Sequence, residues 1–98
     1  MEHWVYIVRC LDRSYYTGIT VSVNKRIDEH NAGIVPGYTH HRRPVTLVWA
    51  ECLEDEHTAL RLERQIKGWT RVKKEALIAR DWDRLHGIVA EGKQSRSR

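Results

Sequence analysis

The chain has no apolar run long enough to form a transmembrane helix, and its mean hydropathy is −0.62. It also lacks the basic, apolar and small-residue succession of a secretory leader. Met1-Glu2-His3-Trp4 passes at once into a strand pattern, so a cytoplasmic protein is expected. Cysteine is scarce: Cys10 and Cys52 lie far apart and form no C-x-x-C pair. That spacing argues against a zinc ribbon or a disulfide framework and for reduced, structural thiols. Internal repeats and linkers are absent, and 98 residues leave little room beyond one domain. The expected division is one domain over 1–90 and a basic tail over 91–98, predicted to be disordered because no apolar residue follows Ala90.

Acidic residues are in deficit, 13 Asp and Glu against 17 Lys and Arg, giving a net charge of +4 and a pI of about 9.3. The excess gathers at Arg42-Arg43, at Arg71 to Lys74 and in the tail, which favours an anionic partner, nucleic acid first.

What is present reads as a short α/β chain of the α+β type. His3 to Cys10 and Tyr15 to Ile19 are rich in β-branched and aromatic residues, and the turn-like Leu11-Asp12-Arg13-Ser14 between them makes a hairpin. Thr20 or Ser22 caps a helix to about Asn31, with Gly33 as its left-handed stop. Ile34 to Arg43 is a loop with a Pro36-Gly37 turn. Pro44 to Ala50 is a third strand, Glu54 or Asp55 opens a helix to about Lys67, and Thr70 caps another to about Arg80. Trp82, Leu85 and Val89 mark a short amphipathic segment. The order ββαβαα predicts a small, three-stranded, mostly antiparallel sheet flanked by helices.

Several residues stand out chemically. If the hairpin pairs even-numbered with even-numbered residues, Tyr6 and Tyr16 share a face and Gly18 falls beside Tyr6, leaving room for a ring or a phosphate. Two ordinary core tyrosines would look the same. Arg26 and His30 lie four apart on the first helix, a spacing that suits a grip on phosphate and equally suits two solvent-exposed side chains. Glu63 lies within or beside the apolar stripe of Ala59, Leu62 and Ile66. A carboxylate there needs a partner: a metal ion, or simply Lys67 one turn on. His40-His41 precede Arg42-Arg43 in the long loop, where four basic or near-basic residues suit phosphate contact or plain solvation. His40-His41 is the only histidine pair at ligand spacing, which speaks against zinc.

Taken in order, these features resemble the GIY-YIG nuclease superfamily over roughly Trp4 to Leu77. The likeness is closest to its short, standalone, single-domain bacterial branch. It runs through Val5-Tyr6-Ile7-Val8-Arg9-Cys10, Tyr16-Thr17-Gly18-Ile19-Thr20, Arg26, His30-Asn31-Ala32-Gly33, Tyr38-Thr39, Arg42-Arg43-Pro44-Val45-Thr46-Leu47-Val48 and Ala59 to Lys67. The first motif reads Trp4-Val5-Tyr6 rather than Gly-Ile-Tyr, the second Tyr16-Thr17-Gly18 rather than Tyr-Ile-Gly, and no asparagine follows Glu63.

The resemblance implies a metal-dependent endonuclease acting on DNA, with RNA left open, in repair or recombination. It implies Tyr6, Tyr16, Arg26, His30 and Glu63 as catalytic residues, and one Mg²⁺ or Mn²⁺ on Glu63. His40, Arg42, Arg43 and Lys67 would contact nucleic acid, and the protein would be a monomer or weak dimer. The competing expectation is a nucleic-acid-binding or adaptor module on the same fold, without turnover.

Overall fold

The segment His3–Arg9 alternates side chains between two faces, yet Val5, Tyr6, Ile7 and Val8 are each no more than 1% exposed. Only a strand covered on both sides has that pattern. A computed structural model describes residues 2–86 and accounts for it. Strand β1 (His3–Arg9) is the centre of a three-stranded antiparallel sheet ordered β2-β1-β3, with β2 at Tyr15–Thr20 and β3 at Thr46–Leu53. The expected tail over 91–98, and Val89, lie outside the described residues.

One face is covered by α1 (Val23–Ala32), whose Ile27 packs against a cluster of Tyr6, Val8, Cys10 and Val45. Gly33 ends this helix at φ 78, in the left-handed conformation expected of it. A Cβ there would also run into the Arg43 guanidinium. The second long helix, α2 (Glu56–Lys67), packs on all three strands and buries Ala59 and Ile66, so it covers the face that carries Val5 and Ile7. Asp55 caps α2 by accepting a 2.7 Å hydrogen bond from the Thr58 N–H.

Three boundaries differ from expectation, the first being that β3 begins at Thr46 rather than Pro44. Strand β3 runs to Leu53 rather than Ala50, because β1 begins at His3 and supplies ladder partners as far as the His3–Leu53 pair. Cys52 therefore lies inside the strand opposite Trp4, and both cysteines are free thiols. A bulge shifts the register after Ile7, so that Ile7 faces Trp49 while Val8 faces Leu47. Helix α3 (Arg71–Ile78) starts at the expected Thr70 cap but stops short of Arg80, whose φ of 56 is incompatible with helix. The chain clusters into two compact units, one ending at Gly68 and one beginning at Trp69. The second contains α3 and the helical residues 82–86. No helix among the described residues is long and apolar enough to cross a membrane.

Candidate active site

The hairpin register pairs Tyr6 with Gly18 and Val8 with Tyr16, which sets both tyrosines on the face beneath α1. Their ring centroids are 6.5 Å apart. Gly18 is required there: a Cβ at that position would lie 2.5 Å from the Tyr6 hydroxyl oxygen, so any side chain would displace the ring.

Helix α1 lowers His30 onto these rings. His30 is 0% exposed, and its Nε2 lies 2.8 Å from the Tyr6 hydroxyl. Its Nδ1 lies 2.7 Å from the hydroxyl of Thr39, which is 1% exposed. The His30 ring meets Tyr6 and Tyr16 edge-on at 5.9 and 5.5 Å. The exposed alternative for this histidine is thereby excluded.

Arg26, one turn earlier, is half-buried and donates to Glu29 at 3.2 Å. Burial pushes the Tyr6 phenol up to about 12; the adjacent Arg26 guanidinium pulls it down, and Tyr16 and the Glu63 carboxylate push it further up. Burial, and then the Arg26 cation, holds the His30 imidazole below its ordinary range. The phenol is thus a protonated donor and the imidazole neutral near pH 7.

Glu63 arrives from α2. It is half-buried, and its Oε2 lies 3.2 Å from Lys67 Nζ, the one-turn partner that the helix spacing offers. Lys67 Nζ stands 5.9 Å from the centroid of the Tyr16 ring. Glu63 pairs with the same Lys67 that stands over the Tyr16 ring, which brings its carboxylate toward the hairpin. Tyr6, Tyr16, Arg26, His30 and Glu63 therefore come near one another, although they come from a hairpin and two helices.

A single carboxylate fits a hard divalent ion that keeps most of its water shell and takes a phosphate oxygen. Among the described residues no three His, Cys, Asp or Glu side chains gather as a metal cluster.

The residues from the long loop have other partners. Arg42 Nε donates to Asp12 at 3.0 Å and Nη1 to the Tyr38 carbonyl at 2.8 Å, while its guanidinium lies 4.0 Å from the Tyr38 ring centroid. Arg43 donates to the carbonyls of His40 and Asn31. His40 and His41 line a surface hollow with Asn31, Arg43 and Pro44.

Two neighbours of the site were given no role in the sequence, although Tyr38-Thr39 is part of the stretch that resembles the family. Thr39 closes the hydrogen-bond chain behind His30, and Tyr38 stacks on Tyr16 at 6.0 Å with a 22° interplanar angle. An aromatic residue in an otherwise polar loop was the available signal for Tyr38. Thr39 gave none.

Comparison with known proteins bears on the family and the fold. The family model for the GIY-YIG catalytic domain matches residues 2–76. A UPF0213 protein of Haloquadratum walsbyi is 48% identical over 81 residues, covering 83% of this chain and 91% of that one. A UPF0213 protein of Staphylococcus aureus is 50% identical over 77 residues, covering 79% of this chain and 94% of the other. The solution NMR structure of a UPF0213 protein from Bacillus halodurans superposes with a TM-score of 0.54 at 40% identity, covering 81% of this chain and 84% of that one. That of an E. faecalis protein gives 0.58 at 34% identity, with the same coverage. A family match over most of the chain, together with relatives about half identical across nearly their whole length, means that this chain belongs to the GIY-YIG family of nuclease domains.

Proposed function

We propose that the protein is a divalent-metal-dependent endonuclease that hydrolyses DNA phosphodiester bonds in repair or recombination. The observation that carries this reading is the gathering of two phenols around one buried imidazole one turn from Arg26, with the Glu63 carboxylate joined to the Tyr16 ring through Lys67. Glu63 would hold one Mg²⁺ or Mn²⁺, which would supply charge stabilisation at a non-bridging phosphate oxygen and the departing 3′ oxygen.

Tyr16 is half-buried and has the Lys67 cation over its ring, so it is the better placed tyrosine to take a proton from the attacking water. Tyr6, held as a phenol on His30 and enclosed, does not reach that water and instead positions the groups around it. Arg26 stabilises the pentacovalent phosphate and stays cationic throughout. His30, neutral and fixed at both nitrogens, holds Tyr6 in place. The water oxygen bonds to phosphorus as its proton passes to Tyr16 in the phenolate form, the P–O3′ bond breaks, the 3′ oxygen takes a proton from solvent water, and the products carry 5′-phosphate and 3′-hydroxyl ends.

Flanking phosphates would meet Lys67 and, along the loop rim, His40 and Arg43, while Arg42, engaged by Asp12 and the Tyr38 carbonyl, would brace the rim. The working unit would be residues 1–90, with 91–98 as a basic tail, in a cytoplasmic monomer or weak dimer.

One observation favours the alternative of a non-catalytic binding or adaptor module: the Glu63–Lys67 ion pair already occupies one oxygen of the carboxylate. Purified wild type and Glu63→Gln, incubated with labelled duplex, single-stranded and branched DNA, decide between the two. The nuclease gives product only with Mg²⁺ or Mn²⁺ and only from wild type. Equal DNA retention in chelator and in metal, with no product from either protein, identifies the binder.

A further inference from the structure

Tyr6, His30 and Thr39 form a continuous chain of hydrogen bonds, 2.8 Å and then 2.7 Å, in which no member is more than 1% exposed. The three groups are enclosed together, and the direction of each bond follows from which of their atoms can donate. Arg26, one turn before His30 on α1, carries only donors and so offers the Tyr6 hydroxyl no acceptor. The Tyr6 proton must then go elsewhere, and among the described residues its acceptor is His30 Nε2. An imidazole that accepts at Nε2 and is neutral carries its proton on Nδ1, which donates to Thr39 Oγ1.

We propose that Thr39 is a positioning residue. Its hydroxyl is the terminal acceptor that holds His30 in the Nδ1–H tautomer, and through His30 and Tyr6 it fixes the guanidinium of Arg26. The other tautomer would have His30 donating to the Tyr6 oxygen. That oxygen would then be crowded by two donors, and the phenol proton would turn out of the chain. The loop from Gly33 to Pro44 thus contributes to the site from behind, through a residue that touches neither substrate nor metal.

This role in catalysis rests on the nuclease reading, but the bonding it assigns does not. In ¹⁵N-edited spectra of the wild type, His30 should show the protonated-Nδ1, bare-Nε2 pattern. A wild-type spectrum with the proton on Nε2 overturns the inference, whether or not any variant folds. Thr39→Val keeps the shape and removes the acceptor. It should shift both His30 nitrogens and the Arg26 guanidinium signals, and should lower kcat about tenfold with KM little changed. Thr39→Ser should restore all three.

A folded Thr39→Val with wild-type His30 and Arg26 signals also overturns the inference. If wild type shows the expected tautomer and Thr39→Val the expected shifts, while no DNA is cleaved by either, the nuclease reading falls and the bonding assignment stands.

Discussion

The Tyr6 hydroxyl sits against two groups at once: His30 Nε2 at 2.8 Å, and the bare Cα of Gly18 directly across the hairpin. The glycine provides the space and the histidine provides the partner, so neither can change alone.

Gly18→Ala should accordingly behave unlike most glycine-to-alanine changes in a strand. Elsewhere the extra methyl stabilises by restricting the unfolded chain. Here the Cβ would lie 2.5 Å from the Tyr6 oxygen, in a buried site with no space to yield. We expect a net loss of about 1–3 kcal/mol, typical of overpacking, read from a denaturant midpoint. The His30 resonances should move as Tyr6 is pushed away. A variant as stable as wild type, with His30 unmoved, would contradict the geometry.

His30 makes stability depend on pH with a definite sign. Its folded-state value is depressed, so the unfolded chain binds a proton that the fold excludes. Stability should be unaffected well above the ordinary histidine value of about 6.5 and should fall as pH drops through it. Comparing urea midpoints of wild type and His30→Gln between about pH 7.5 and 5 isolates this share from other titrating groups. Parallel curves for the two proteins would show that His30 does not contribute.

Lys67 performs two tasks that pull in opposite directions. It pairs with Glu63 at 3.2 Å and stands over the Tyr16 ring. Lys67→Gln should free the carboxylate and lower the Mn²⁺ concentration needed for half-maximal activity, while weakening DNA binding. Stability should change by no more than about 1 kcal/mol, because the lysine is largely exposed. Unchanged metal demand would mean that the ion pair does not compete with metal.

Arg42 and Lys67 should differ in salt dependence. The Arg42 fork is used on Asp12 and the Tyr38 carbonyl, so Arg42→Ala should loosen the Tyr38 stack with little change in the slope of log affinity against log salt. Lys67→Ala should reduce that slope by about one. The reverse ranking, measured by fluorescence anisotropy over a salt series, would return phosphate contact to Arg42.

The hairpin and the helix starts were legible because each carries a local signal: β-branched runs around Leu11 to Ser14, Asp55 ahead of the α2 stripe, and Thr70 ahead of α3. Glu63 stood out because a carboxylate interrupted an apolar period. The burial of His30 was not legible, since helical spacing gives a face but not what lies opposite it. The far end of β3 was likewise hidden: it is set by His3 on another strand, some fifty residues away in sequence. Arg42 and Arg43 read as a charge cluster, yet their partners are carbonyls and a hairpin aspartate whose positions only the folded loop reveals. Thr39 belongs with them, as a small polar residue whose importance comes entirely from the ring that rests on it.

Tyr6 is embedded in the middle strand, flanked by Val5 and Ile7, with ladder partners on either side. Backbone there opens only when the whole sheet comes apart, so its amide proton should exchange as slowly as any in the molecule. An anchor of that kind cannot swing to meet a substrate. Any adjustment on binding must come from the opposite wall, where Lys67 at the end of α2 and Tyr38 in the long loop remain exposed. Attempts to alter substrate choice should therefore begin on that wall and leave the middle strand untouched.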